Sequence, residues 1–152
     1  MSRPKLFALI GAGIVVFLLI TALLTHIFSV DNAERSAVTS LIQAEAKGDD
    51  NAMLALMHGC KEDIACRERV AEDAARMQHR GHVSILTIQS SAGFSLTGTT
   101  GAARVAWTVG SSLPIVQCVR VRRAGNVVSG FSVQLLAITS KLKGDATCPS
   151  QI

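Results

Sequence analysis

A run of 25 residues without a formal charge, Leu6–Val30, constrains this chain more than any other feature. As a helix that rises 1.5 Å per residue, the run is about 37 Å long, and this exceeds the roughly 30 Å hydrocarbon core of a bilayer. The apolar regions of cleaved signal peptides run about 7–15 residues and end at a small-x-small site. Residues 25–30 contain no Ala-x-Ala site. The sequence therefore favours an uncleaved, single-pass signal anchor over a cleaved signal peptide.

The residues that flank this run predict its orientation. Arg3 and Lys5 precede it, whereas Asp31 and Glu34 follow it. Positive residues stay on the cytoplasmic side of a membrane, so we expect the N-terminus inside the cell and the rest of the chain outside. The expected segments are a cytoplasmic tail, a transmembrane helix, an exterior domain and a C-terminal tail, at residues 1–5, 6–30, 31–140 and 141–152. The expected location is the cell membrane, with the domain in the cell envelope.

All four cysteines of the chain fall outside the predicted span. An even number of cysteines in an oxidising compartment favours disulfides, and four cysteines allow three pairings. We favour Cys60 with Cys66, which are close in sequence, and Cys118 with Cys148, a bond that ties the C-terminal tail to a central strand. A zinc site is the alternative, but no Cys-x-x-Cys pair supports it. We expect neither a metal nor a cofactor.

Residues 31–80 predict three helices. Asp31-Asn32-Ala33-Glu34 has the pattern of a capping box at the start of the first helix, and Gly48 is expected to end it. Asp49-Asp50 can cap a short second helix. The third helix is expected from Glu62 to His79, with an apolar face and a face of mixed charge.

After Gly81 the chain becomes rich in β-branched residues and predicts an antiparallel sheet. Val105, Trp107 and Val109 alternate with more polar residues, as in a half-buried strand. Turns are expected at Gly98–Gly101 and at Ala124–Asn126. Other expected strands are His82–Ser90, Phe94–Leu96, a run that begins at Leu113-Pro114, and Val127–Thr139. The predicted fold class is α+β, with three helices packed on a bent antiparallel sheet.

The segment from Gly48 to Leu56, Gly-Asp-Asp-Asn-Ala-Met-Leu-Ala-Leu, resembles the first helix-to-helix junction of the nuclear transport factor 2-like (SnoaL-like) superfamily. The order of elements is also that of the superfamily, and the resemblance implies a cone-shaped domain. The whole chain is similar to Mce-associated membrane proteins and to the bitopic assembly subunits of conjugation and type IV secretion channels. In those families the domain is mainly a scaffold. The resemblance therefore implies a non-enzymatic accessory protein whose partners are other envelope proteins.

Catalytic residues are scarce in this sequence. Cone-shaped enzymes such as ketosteroid isomerase need an acid–base pair, but this chain has no Tyr, and from residue 82 onward Asp145 is its only acid. A strand-borne carboxylate base is therefore missing, and we expect no enzyme. His58, His79 and His82 are expected at the surface or in turns, with metal binding as the alternative. Trp107 is expected in the core; alternatively it lines a cone pocket that holds a small apolar or lipid-like ligand.

Three arginines near the end of one predicted strand are the candidate contact residues. Arg120, Arg122 and Arg123 alternate with valines. They form either a solvated strand face or a basic strip that binds an acidic partner or anionic lipid headgroups. Nucleic acid is not expected, because no aromatic residues interleave with these arginines and residues 31–152 carry a net charge of only +2.

Overall fold

The structure is a computed structural model, which describes residues 3–90, 97–126, 130–143 and 146–149. The predicted α+β class is confirmed: helices come first and a four-stranded antiparallel sheet follows, in which the strands lie side by side in chain order. The elements are α1 (Arg3–Lys47), α2 (Asp50–Leu56), α3 (Ile64–Met77), β1 (Val83–Gln89), β2 (Thr97–Val109), β3 (Ile115–Asn126) and β4 (Gly130–Ile138). The predicted strand Phe94–Leu96 and the acid Asp145 lie outside the described residues.

Helix α1 passes from the apolar segment into the domain without a break. It has 45 residues, so the predicted helix start at residues 31–34 is wrong. The physical reason is that neither Gly nor Pro occurs between Gly13 and Gly48, and nothing in the backbone ends the helix there. Gly48, with φ 71°, ends it as predicted. From Ile10 onward the helix is long and apolar enough to cross a membrane, a test that a signal sequence also meets.

The C-terminal part of α1 is also the central helix of the domain. Val38, Leu41 and Ile42 are fully buried, at the i, i+3 and i+4 spacing that places side chains on one helical face. The same helix therefore presents exposed apolar side chains between residues 10 and 24 and a core-facing stripe after residue 37.

The two shorter helices begin at aspartate caps. The side chain of Asp49 accepts a hydrogen bond from the backbone of Ala52, and this starts α2 where the sequence predicts it. Asp63 accepts from the backbone of Ala65 and Cys66. Its cap shortens the third helix at its start relative to the predicted Glu62–His79.

The turn predicted at Gly98–Gly101 is wrong, because these residues belong to β2. They pair with β3, and the register between Thr97 and Thr99 is shifted by a bulge. A Cβ atom on Gly98 would lie 2.7 Å from the carbonyl oxygen of Arg123. Glycine is needed here for the close approach of two backbones in a sheet, a requirement that a sequence pattern does not separate from a turn.

The turn predicted at Ala124–Asn126 is also wrong. These residues extend β3, and Asn126 pairs with Gly130 at the end of the ladder. The final strand is described from Gly130 to Ile138, and the first residues of the predicted strand, 127–129, lie outside the described residues. Pairing on both sides of β3 holds its last residues in the sheet, since Asn126 also pairs with Thr97 of β2.

Two disulfides connect parts of the domain, and they are the pairs that the sequence favours. Cys60 and Cys66 join the segment after α2 to α3, with Cα atoms 5.3 Å apart. Cys118 and Cys148 join β3 to the C-terminal tail, with Cα atoms 5.7 Å apart. The backbone of Leu142 also donates to the carbonyl of Val116, so the tail follows β3 beyond the end of β4.

Loss of the longer-range disulfide should destabilise the domain more than loss of the shorter one. In the loop-entropy account, a cross-link across 30 residues contributes about 3–4 kcal/mol and one across 6 residues about 2 kcal/mol. We expect Cys118→Ser with Cys148→Ser to lower the midpoint of denaturant unfolding further than Cys60→Ser with Cys66→Ser. Equal shifts would show that the longer loop contributes no more to stability than the shorter one, against the loop-entropy account.

Candidate functional site

The sheet has a helix-covered face and an open face. In β2 and β3, the side chains of Val105, Trp107, Val119 and Val121 are buried in the core with the helices. The intervening residues point the other way, because successive side chains of a strand alternate between faces. The other side of the sheet, called the open face here because no described helix covers it, carries Arg104, Arg120 and Arg122. Cys118 also lies on this side, where it is fully buried and bonded to Cys148 of the C-terminal tail, so the tail covers part of the face and Arg122 is its exposed arginine.

A chain of buried hydrogen bonds joins the helix-covered face to α1. The indole Nε1 of Trp107 donates to Oε1 of Gln117 at 2.7 Å, and Nε2 of Gln117 donates to Oε1 of Glu45 at 2.7 Å. Gln117 Nε2 also donates to the carbonyl of Thr139 at 3.1 Å. Trp107, Gln117 and Glu45 have no exposed surface. Solvent or a substrate therefore does not reach this carboxyl group in the folded conformation.

Glu45 is the most perturbed acid in this interior. Burial raises its pKa to about 8; the hydrogen bond from Gln117 opposes this rise, and the nearby Asp73 on α3 adds to it. The pKa of Asp73 is raised as well, mainly by its own burial. Glu45 Oε2 is buried without a hydrogen-bond partner among the described residues. Burial thus favours the neutral form of this carboxyl group, as expected for an acid in an apolar interior.

The stability of the domain should fall with rising pH because of Glu45. The folded state retains the proton up to about pH 8, whereas the unfolded chain releases it near 4.5, so this contribution is complete below 4.5 and lost as the pH rises through 8. Gln mimics the neutral acid. We expect Glu45→Gln to be more stable than wild type at about pH 9 and to weaken the pH dependence in thermal melts. The control Glu68→Gln, at an exposed position of α3, should leave the dependence unchanged.

Arg123 pairs with the part of α1 that follows the apolar run. Its Nε donates to Oε2 of Glu34 at 2.8 Å, and its Nη2 donates to Oδ1 of Asp31 at 2.5 Å. Desolvation lowers the pKa of Arg123, but the hydrogen bonds and charges of Glu34 and Asp31 outweigh it and raise the pKa above its ordinary value. The Glu34 side chain is fully buried and that of Arg123 is only 11% exposed.

This pairing corrects the predicted strip of three arginines. Arg123 lies on the helix-covered face, opposite Arg120 and Arg122, and its acidic counterparts are already present in the chain. The local sequence around Arg123 does not reveal this ion pair, because Glu34 and Asp31 lie 89 and 92 positions away in the chain.

Breaking this ion pair should be costly, because it leaves the carboxylate of Glu34 buried without its cation. We expect Arg123→Ala to lower the free energy of unfolding by about 3 kcal/mol. The matched control Arg122→Ala removes the same charge from the exposed neighbouring position and should change it by less than about 0.5 kcal/mol. Denaturant titration of both variants in detergent micelles measures the difference. Similar values for the two would show that the pair contributes no more than surface charge.

The remaining predicted site residues lie apart from one another. His58 borders a surface depression of about 280 Å³ between α2 and β4, which Leu54, Met57 and Val133 also line. His79 donates its backbone N–H to the carbonyl of Ala46. Within the part of the chain that the structure describes, no group of three or more His, Cys, Asp or Glu side chains is arranged to hold a metal.

Sequence reasoning missed Glu45 as an interior residue, although a signal was present. Glu45 follows Leu41 by four residues and Ile42 by three, so it occupies a core position of the α1 stripe. Gln117 likewise alternates with Ile115 and Val119 on a buried strand face. Each position by itself resembles a polar residue that a core tolerates. Their hydrogen bond is not visible in the local pattern, because the two residues lie 72 positions apart in the chain.

Comparison of this chain with protein-family models, curated proteins and solved structures found no match.

Proposed function

We propose that this chain is a single-pass membrane protein with its N-terminus in the cytoplasm and its domain outside. The unbroken helix supports the uncleaved anchor, because removal of the apolar segment as a signal peptide would cut inside α1, next to the buried Val30. Two disulfides support an oxidising compartment for the domain. Arg3 and Lys5 before the span support the orientation.

Within that topology, we propose that the domain is a non-enzymatic accessory or scaffold subunit of the cell envelope. The observation that carries this proposal is a filled interior beside an open sheet face. Trp107 and Glu45 are sealed in the core, while Arg122 is exposed. The superfamily resemblance, with its cone-shaped domain and its membrane-anchored relatives, belongs to the same proposal. Arg120 and Arg122 are its proposed contact residues, and other envelope proteins are its proposed partners.

The alternative, a module that holds a small apolar or lipid-like ligand around Trp107, would require an opening in the core. Trp107 has no exposed surface, and it packs with buried side chains from both α1 and the sheet. Its indole N–H is already satisfied by Gln117. These contacts favour the scaffold over the ligand-binding module.

Topology is tested with a reporter enzyme that is active only outside the cytoplasm, fused after Ile152. We expect activity, and we expect the fusion to stay in the membrane at full length after alkaline washing. A shortened, soluble product would indicate a cleaved signal peptide, whereas activity only with a cytoplasmic reporter would reverse the orientation.

The scaffold role is tested by the proteins that co-purify with the full chain from detergent-solubilised membranes. We expect Arg120→Ala with Arg122→Ala to lose partners without a change in melting temperature, because the cross-strand neighbours of both arginines are uncharged and the substitutions leave no acid unpaired. The matched control is Arg67→Ala with Arg69→Ala, which removes the same charge from an exposed face of α3. Equal recovery from both variants would contradict a contact role for the open face.

A further inference from the structure

Helix α1 and strand β3 run antiparallel to each other, and two contacts fix the position of the strand along the helix axis. Near the apolar run Glu34 meets Arg123, and farther along the helix Glu45 meets Gln117. From Glu34 to Glu45 the helix advances about 16 Å, and from Arg123 to Gln117 the strand advances about 20 Å. The two elements therefore cover similar distances between the two contacts. The carboxyl end of β3 is therefore the end of the sheet nearest the apolar segment.

Arg123 marks where a membrane surface would lie relative to the sheet. It binds Asp31, the first residue after the uncharged run, and Glu34, one turn later. The headgroup layer adds about 5–7 Å to each side of the hydrocarbon core. The first turn after the span lies at the level of that layer, and Arg123 lies beside this turn.

Arg122 lies at about the same distance from the apolar segment as Arg123, but its electrostatic environment differs from that of Arg123. Its side chain points to the open face and is exposed. Its cross-strand neighbours are Thr100 on β2 and Gln134 on β4, both uncharged. The sequence contains no Asp or Glu from residue 82 to residue 144, so the strands supply no acid to this face. Arg123 has its counter-charges within the chain, whereas the strands offer none to Arg122.

We propose that Arg122 binds the anionic phospholipid headgroups of the leaflet on the domain's side of the membrane. This inference rests on the proposed single-pass topology, which sets the distance of Arg122 from the bilayer. A guanidinium group suits the phosphate oxygens of a headgroup because it presents several N–H donors in one plane. Of the two contact residues proposed above, Arg122 is thereby assigned to lipid, which fixes the near end of the sheet at the surface. Arg120, about 7 Å farther along the strand, remains the contact residue for a protein partner.

The test uses the full chain in nanodiscs of zwitterionic phosphatidylcholine, with and without about 30% anionic phosphatidylglycerol. Thermal unfolding is followed by tryptophan fluorescence, since Trp107 is the only Trp and is fully buried. Lipid that binds only the folded domain raises its melting temperature. We expect a rise of about 3 °C for wild type with the anionic lipid, abolished by Arg122→Gln, largely retained by Arg122→Lys and suppressed by about 0.5 M salt.

The matched control is Arg80→Gln, which replaces an exposed arginine directly after His79. The backbone of His79 is hydrogen-bonded to Ala46 of α1. Arg80 therefore lies near a point of the helix roughly 22 Å beyond Asp31, which is more than a Debye length from the membrane. It should keep the full rise. No rise in wild type, a rise that survives in Arg122→Gln, or an equal loss in Arg80→Gln would overturn the lipid contact alone. Failure of the chain to enter the neutral nanodiscs would overturn the proposed anchor as well.

Discussion

The ion pair of Arg123 with Glu34 and Asp31 is the interaction on which the geometry of this molecule depends. Glu34 has no exposed surface, and a buried carboxylate without a cation would destabilise the fold strongly. The sheet must therefore bring a guanidinium group to this turn of α1. Because the turn directly follows the apolar run, the same pairing holds the end of the sheet close to that run. This contact therefore contributes both to the folding of the domain and to its position relative to the apolar segment.

The second tie between α1 and β3 has a different character. Glu45, Gln117 and Trp107 form a neutral hydrogen-bonded chain in a place where an ionised carboxylate would be costly. Helix α1 is thus fixed to the sheet by an ion pair at residues 31–34 and by neutral hydrogen bonds at Glu45. Solvent does not reach these three buried side chains. The protonation of Glu45 therefore affects the pH dependence of folding stability. This arrangement accounts for an acidic side chain at a core position without assigning it to catalysis.

The two ties also separate arginines that are neighbours in the sequence. Arg123 contributes to the internal structure, and Arg122, one residue earlier, faces outward. A strand places adjacent residues on opposite faces, so a cluster of positive charge in the sequence becomes one structural cation and a separate surface charge. Experiments that replace all three arginines together would combine a folding defect with a loss of contacts. Single substitutions at Arg122 and Arg123 keep the two effects apart.

Local patterns in the sequence determined the apolar helix, the α+β order, the end of α1 at Gly48 and the cap of α2, because each depends on residues close together in the chain. The favoured cysteine pairs rested on the same kind of reasoning. The turns predicted at Gly98–Gly101 and Ala124–Asn126 failed because pairing on both sides of a strand overrides local turn preference. Only the tertiary structure decided that Asp31 and Glu34 meet Arg123 rather than cap a helix, and that Glu45 meets Gln117. Those contacts join residues 72 to 92 positions apart, and the burial that makes them necessary exists only after the sheet has closed over α1.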